Sequence, residues 1–263
     1  MTGVSLAGVG VITGWGRGLE AWPDDATVAA GDRAVVTVAT PRLDGERFRR
    51  ATRECLLGVA AVQATLDDAG LGRGAIAGTR TALLYVTAAA YGPSNRAFIE
   101  AGEPGRAGAL HFPYTAPSAV PAEVTIEYGL RGPYVTLVGG AAVTLEALAW
   151  AARLMAEDAC ERALVLAVET FAECADLFAR DRRLLGRPLT EAAACALVVP
   201  GDRRIELVAA GGVSDLTARA QRRVGETLAC GPLFALALAR ATGDDPWTAT
   251  GQWRGRTAAL AEA

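Results

Sequence analysis

The chain has no lysine, one histidine and no Cys-x-x-Cys pair. All 26 of its basic side chains are therefore arginines, set against 29 acidic ones for a net charge of −3. They are scattered along the chain and not gathered on one face, so no basic stripe exists to neutralise phosphates, and nucleic acid is not an expected partner. The arginine-for-lysine usage and the heavy alanine content read as a base-composition habit of the source genome. Cys55, Cys160, Cys174, Cys195 and Cys230 form an odd set whose spacing suits neither a disulfide framework nor a zinc site. They are expected as small buried hydrophobes in a reducing compartment, with no metal and no cofactor. A reactive thiol at Cys174 or Cys230, which stand beside polar or glycine residues, is the alternative. Apolar runs such as 233–239 fall far short of the ~18 residues a membrane span needs, and residues 1–10 lack the basic region of a secretory signal. A soluble, cytoplasmic protein without a membrane partner is expected.

What is present is apolar: 51% of the 263 residues are hydrophobic, enough to bury a full core in one domain. Strand patterns run over 5–13, 79–87, 134–138, 162–168, 195–199 and 205–210, the last two flanking a turn at Pro200-Gly201-Asp202. Between them, helical spacing recurs over 49–68, closed by Gly70. It returns over 117–128, closed by Gly129, and over 142–156, introduced by Gly139 and Gly140. An apolar helix follows from 224 to about 240, and two short strands lie around Thr248 and Thr257. Alternating strand and helix predicts an α/β layered fold with a largely buried sheet. Residues 15–31 and the polar run 214–223 are expected as surface loops.

Individual motifs are open to more than one reading. Gly8-Val9-Gly10 followed by Gly14 evokes a dinucleotide loop, but the third glycine is misplaced and no acidic residue closes the next strand. His111 has no serine or cysteine partner in sequence, and a lone histidine is more often hydrogen-bonded structure than a base. The three methyl side chains Ala88, Ala89 and Ala90 either leave room for a ligand or reflect the alanine-rich composition, and Tyr91 beside them would instead close a path. The tryptophans, Trp150 among them, are expected in cores or interfaces.

Three ordered segments stand out: Ala7-Gly8-Val9-Gly10-Val11-Ile12-Thr13-Gly14; His111-Phe112-Pro113-Tyr114-Thr115-Ala116-Pro117-Ser118-Ala119; and Ile126-Glu127-Tyr128-Gly129-Leu130-Arg131-Gly132-Pro133. Together they resemble the β-ketoacyl synthases of the thiolase fold. Residues 162–169 and 191–199 are similar to the two strands that complete the first half of that fold. The resemblance covers residues 5–212 well and the rest weakly. It implies one thiolase-like domain over 1–263, with a complete first half over 1–213 and an abbreviated second half over 224–263.

Registering the family's Gly-Pro-x-x-Thr strand on Gly132-Pro133-Tyr134-Val135-Thr136 places Ala141 where the nucleophilic cysteine would stand. The two catalytic histidines of active members have no counterparts in a chain with one histidine. An alanine can neither attack a thioester nor hold an acyl chain, and a catalytic set missing several members fails as a unit. The resemblance therefore implies no catalytic residue, and a non-condensing subunit similar to the small chain-length factors of polyene-making type II polyketide systems. Such a subunit would pair with a catalytic ketosynthase as a heterodimer and meet acyl carrier protein through the complex. On the same resemblance Ala88, Ala89, Ala90, His111, Phe112 and Thr115 border the acyl tunnel. Two other readings stay open: a free-standing acyltransferase or hydrolase using a serine, threonine or surviving cysteine, with Thr144 and Ser118 as candidates, and a homodimeric carrier scaffold.

Overall fold

Three of the apolar runs become adjacent central strands: β4 (Thr81–Thr87), β6 (Arg162–Glu169) and β8 (Ala192–Gly201). The computed structural model describes residues 3–100, 112–171 and 186–262. Side chains alternate across these strands with period two, and here both faces are covered. Leu84, Val86, Val165, Ala167, Ala194 and Ala196 enter one core, and Leu83, Tyr85, Leu164, Leu166, Cys195 and Leu197 enter the other. A strand buried on both faces needs apolar residues throughout, which is why these segments carry no internal charge.

With β1 (Gly3–Thr13), β2 (Gly16–Arg17) and β5 (Tyr134–Val138), the sheet has the order β2-β1-β8-β6-β4-β5. β6, β4 and β5 are parallel, whereas β8 runs antiparallel to both β6 and β1. β3 (Val35–Val36) pairs with β7 (Leu189–Thr190). β9 (Ile205–Val208), β10 (Thr248–Trp253) and β11 (Arg256–Glu262) form a separate antiparallel sheet of order β10-β11-β9.

One face of the large sheet is covered by α2 (Arg53–Ala69), with α4 (Ala119–Tyr128) packed on it. α2 is covered nearly all round, with Leu57, Val62 and Leu66 fully buried, each contributing about 1.5–3 kcal/mol. The opposite face carries α5 (Ala141–Ala156) and α7 (Gly231–Thr242), against which α6 (Asp215–Val224) packs, and the small sheet lies on α5. Gly8 and Gly10 serve this packing. A Cβ at Gly8 would fall 2.6 Å from the Thr65 carbonyl oxygen, and one at Gly10 2.3 Å from the Thr65 nitrogen, so only glycine lets α2 lie this close to β1. Thr65 then links the layers, accepting from the Gly10 N–H at 3.1 Å and donating to the Cys195 carbonyl at 2.8 Å.

Several expectations need correction. The polar run 214–223 is a helix, α6, because Leu216, Ala220 and Val224 recur at four-residue spacing and are buried, and Ser214 caps the Thr217 N–H. The segment 15–31 is anchored by its aromatics: Trp22 is buried edge-on to Phe234 at 5.4 Å, and Trp15 Nε1 donates to the Val224 carbonyl at 2.9 Å. It also holds the short helix α1 (Ala26–Ala30), capped by Asp25. The helix expected over 49–68 is split, since Glu46–Arg50 is a 3-10 turn that buries Phe48 and Ala51 is extended before α2 begins. A helix not foreseen, α3 (Gly92–Glu100), follows β4. The helix expected from 224 begins only at Gly231, after a 3-10 turn over Leu228–Cys230. Among the described residues no helix is long and apolar enough to cross a membrane.

Candidate functional site

β5 ends at Val138, and the Gly139 N–H donates to the Thr87 carbonyl at 2.9 Å, which holds the end of β5 beside the end of β4. Gly140 then opens α5, so Ala141 is its first residue, where the amides lack helical partners and the helix dipole is positive. β10 lies directly over this terminus. A Cβ on Gly251 would fall 2.6 Å from the Ala141 carbonyl carbon, and one on Gly140 2.5 Å from the Trp253 ring. Ala141 lines a cleft of about 340 Å³ together with Leu228, Thr250, Trp253 and the ion pair Arg187–Glu226, whose atoms approach to 2.6 Å.

A thiol at this helix terminus would be held as thiolate, but the side chain is a methyl group and has no nucleophilic atom. The expected substitutes do not fill the gap. Thr144, one turn along α5, is buried with its hydroxyl donating to the Ala229 carbonyl at 2.7 Å. Ser118 stands at the start of α4, on the other face of the sheet. Cys55, Cys160, Cys195 and Cys230 are all buried, and burial pushes the thiols of Cys55 and Cys195 up to about 12 and that of Cys230 well above its usual value. They are core residues. Cys174 and His111 lie outside the described residues.

The second locus is the segment after β4. Ala88 and Ala89 are half-buried, whereas Ala90 is fully buried in the core beneath α2. The turn they form is fixed by Glu169, the last residue of β6, which is itself fully buried. Oε1 accepts from the Ala88 N–H at 2.7 Å and the Ala229 N–H at 3.2 Å; Oε2 accepts from the Ala89 N–H at 2.9 Å and the Thr87 hydroxyl at 3.4 Å. Burial pushes this carboxyl up to about 8, outweighing the four donors that favour the charged form. Sequence reasoning passed over Glu169, although a lone acidic residue ending an otherwise apolar strand was the signal.

α3 connects this turn to the other expected wall residues. Asn95 Nδ2 donates to the carbonyls of Tyr91 and Thr115, both at 3.0 Å, and the Phe98 ring packs against Phe112 at 6.0 Å. Ala88–Ala90 and the turn Phe112–Thr115 are therefore tied to the same short helix, with Thr115 half-buried and Phe112 64% exposed. Tyr134 and Val138 on the outermost strand β5 are also exposed.

The sequence profile of the β-ketoacyl synthase N-terminal domain matches residues 20–195. The chain belongs to the β-ketoacyl synthase family. Solved structures agree with the ketosynthase fold. The ishigamide ketosynthase/chain length factor superposes with a TM-score of 0.72 at 18% identity, over 100% of this chain and 99% of that one. A type II polyketide synthase acyl-carrier protein in complex with its ketosynthase bound to the hexaketide gives 0.76 at 13% identity, over 100% and 99%. A β-ketoacyl synthase from Burkholderia phymatum gives 0.60 at 15% identity, over 92% and 79%. At these identities the likeness is one of fold. No curated protein matches the chain.

Proposed function

We propose that this ketosynthase-family chain is a non-catalytic chain-length factor, of the kind found in polyene-making type II systems. It pairs with a cysteine-bearing ketosynthase and shapes the tunnel that receives a chain carried on acyl carrier protein. The observation that carries the reading is Ala141: the helix terminus that would activate a thiolate is built, and the residue standing there has no nucleophile. Residues 1–213 then act as the family's first half, and 224–263, with the small sheet over α5, as what is left of the second.

The partner surface is the side bearing β5. Its outer edge is unpaired among the described residues and carries the exposed Tyr134 and Val138, and Ile99 on α3 and Phe112 packed on that helix are large apolar side chains left in solvent as well. Exposed apolar groups beside a free strand edge favour a permanent partner, which would bury on the order of 2,000 Å² or more. Ala88 and Ala89, half-buried near that edge, supply small walls, and His111, Phe112 and Thr115 supply the loop that meets the partner's acyl path. The overlap in fold with a ketosynthase/chain length factor and with a carrier-protein complex supports both partners.

The test of the silent site is intact-mass spectrometry after incubation with acyl-thioester and acyl-carrier donors. The mass stays unchanged on this reading. Stoichiometric acylation of any residue would return the free-standing acyltransferase to first place.

A further inference from the structure

Two chain segments far apart in sequence meet on one buried carboxylate. The turn after β4 presents the Ala88 and Ala89 amides, and the 3-10 turn Leu228–Cys230 presents the Ala229 amide. The second turn also borders the Ala141 cleft through Leu228, whose backbone is left-handed at φ +48° and whose N–H is held by Glu226 at 3.0 Å. We infer that Glu169 is a positioning residue for the acyl path: it locks the Ala88–Ala90 turn to the Leu228–Cys230 turn, so that the wall at the subunit boundary and the vacated cleft keep one fixed separation. This inference rests on the proposed tunnel role of Ala88 and Ala89.

The chemistry suits a carboxylate and little else. A carboxyl can accept at both oxygens, and here four partners converge on the pair; while it holds its proton, that proton is shared with the Thr87 hydroxyl and the three amides still donate to it. An amide in its place would turn an NH2 group toward two of those donors and leave buried groups unsatisfied. Thr87 extends the lock, because its hydroxyl also accepts from the Ala90 N–H at 2.9 Å, and the Thr170 hydroxyl donates to the Ala90 carbonyl at 3.3 Å. Among the described residues, the Tyr85 phenol on β4 and the Cys230 thiol of the 3-10 turn lie near enough to Glu169 to feel its charge. Burial keeps both neutral, so neither adds a second negative charge beside the carboxyl. A side chain acting only as core filler would need none of these four bonds.

The experiment uses the chain in complex with its ketosynthase and compares wild type, Glu169→Gln and Thr87→Val. The valine variant loosens the lock from the other side if the glutamine variant fails to fold. Native-state amide exchange at Ala88, Ala89 and Ala229 should quicken by about tenfold, as loss of an ordinary hydrogen bond implies, while amides elsewhere in β4 and β6 keep their rates. The ratio of longest to shorter products should fall in the same variants. Unchanged exchange at these amides overturns the lock, and faster exchange with an unchanged product ratio overturns its positioning role. Failure of the underlying tunnel reading looks different: Ala88→Phe and Ala89→Phe would then leave product length untouched, whatever the exchange rates do.

Discussion

The alanine triplet separates packing from tunnel shaping, because its three members differ in burial. Ala90 has no exposed surface and sits in the core beneath α2, with its N–H on the Thr87 hydroxyl and its carbonyl accepting from Thr170. A phenyl ring there has no space to enter. Over-packing of a formed core costs about 1–3 kcal/mol, which for a domain of roughly 150–250 residues lowers Tm on the order of 2–12 °C. Ala88 and Ala89 are half-buried, so a ring can turn outward into the space proposed for the growing chain. Ala90→Phe should therefore show as a lower melting temperature of the purified pair, whereas Ala88→Phe or Ala89→Phe should melt closer to wild type and shorten the longest product. Calorimetry and product profiling of the same preparations read both quantities. An Ala90→Phe pair as stable as wild type would refute the packing argument. Full-length product at the wild-type rate from all three variants would show that this stretch is not the gate.

Phe112→Trp, which enlarges an exposed wall side chain tied to α3 through Phe98, should shorten the product in the same direction. Glu169 makes stability depend on pH: its folded value of about 8 lies above the ordinary 4.5, so the native state holds a proton that the unfolded chain has released. That stability is fully present below about pH 4.5 and is lost as pH rises through 8, so denaturant titrations should show a decline across this window that Glu169→Gln flattens. Glu191 is fully buried against Arg53, with Arg53 Nη2 at 2.8 Å and the Val38 and Phe171 amides also donating to it. Arg53→Leu strands that charge and should cost about 3–5 kcal/mol in urea unfolding; a loss below 1 kcal/mol would contradict the role given to the pair.

The fold was legible wherever the hydrophobic pattern had a single reading. β5 matches its expected bounds, and β4, β6 and α5 fall within two residues of theirs, because short runs rich in Val, Leu and Thr read as strands and a sixteen-residue alanine-rich run reads as a helix. α6 was missed because its buried stripe, Leu216, Thr217, Ala220 and Val224, is thin and its arginines dominate the composition. The site was half legible. The glycine pair marked a helix start near 142, and Ala141 was singled out only through the family register on residues 132–136; the cover from β10 depends on contacts between residues more than 100 positions apart, which no local pattern encodes. Glu169 was passed over for a related reason: an acidic residue ending an apolar strand is a signal, but it looks solvent-facing until the amides that surround it, from two other segments, are brought together by the fold.

Partnership with a ketosynthase is tested most directly by mass measurement of the pair. The chain should be expressed alone and with a ketosynthase that carries the active cysteine, followed by soluble yield and light scattering on the eluted species. Alone, its exposed β5 side should give poor solubility or aggregates; together, the two chains should elute as a stable one-to-one heterodimer whose product formation is abolished by replacing the partner's cysteine. A well-behaved monomer that ignores the ketosynthase, or product formation that survives loss of that cysteine, would contradict the account.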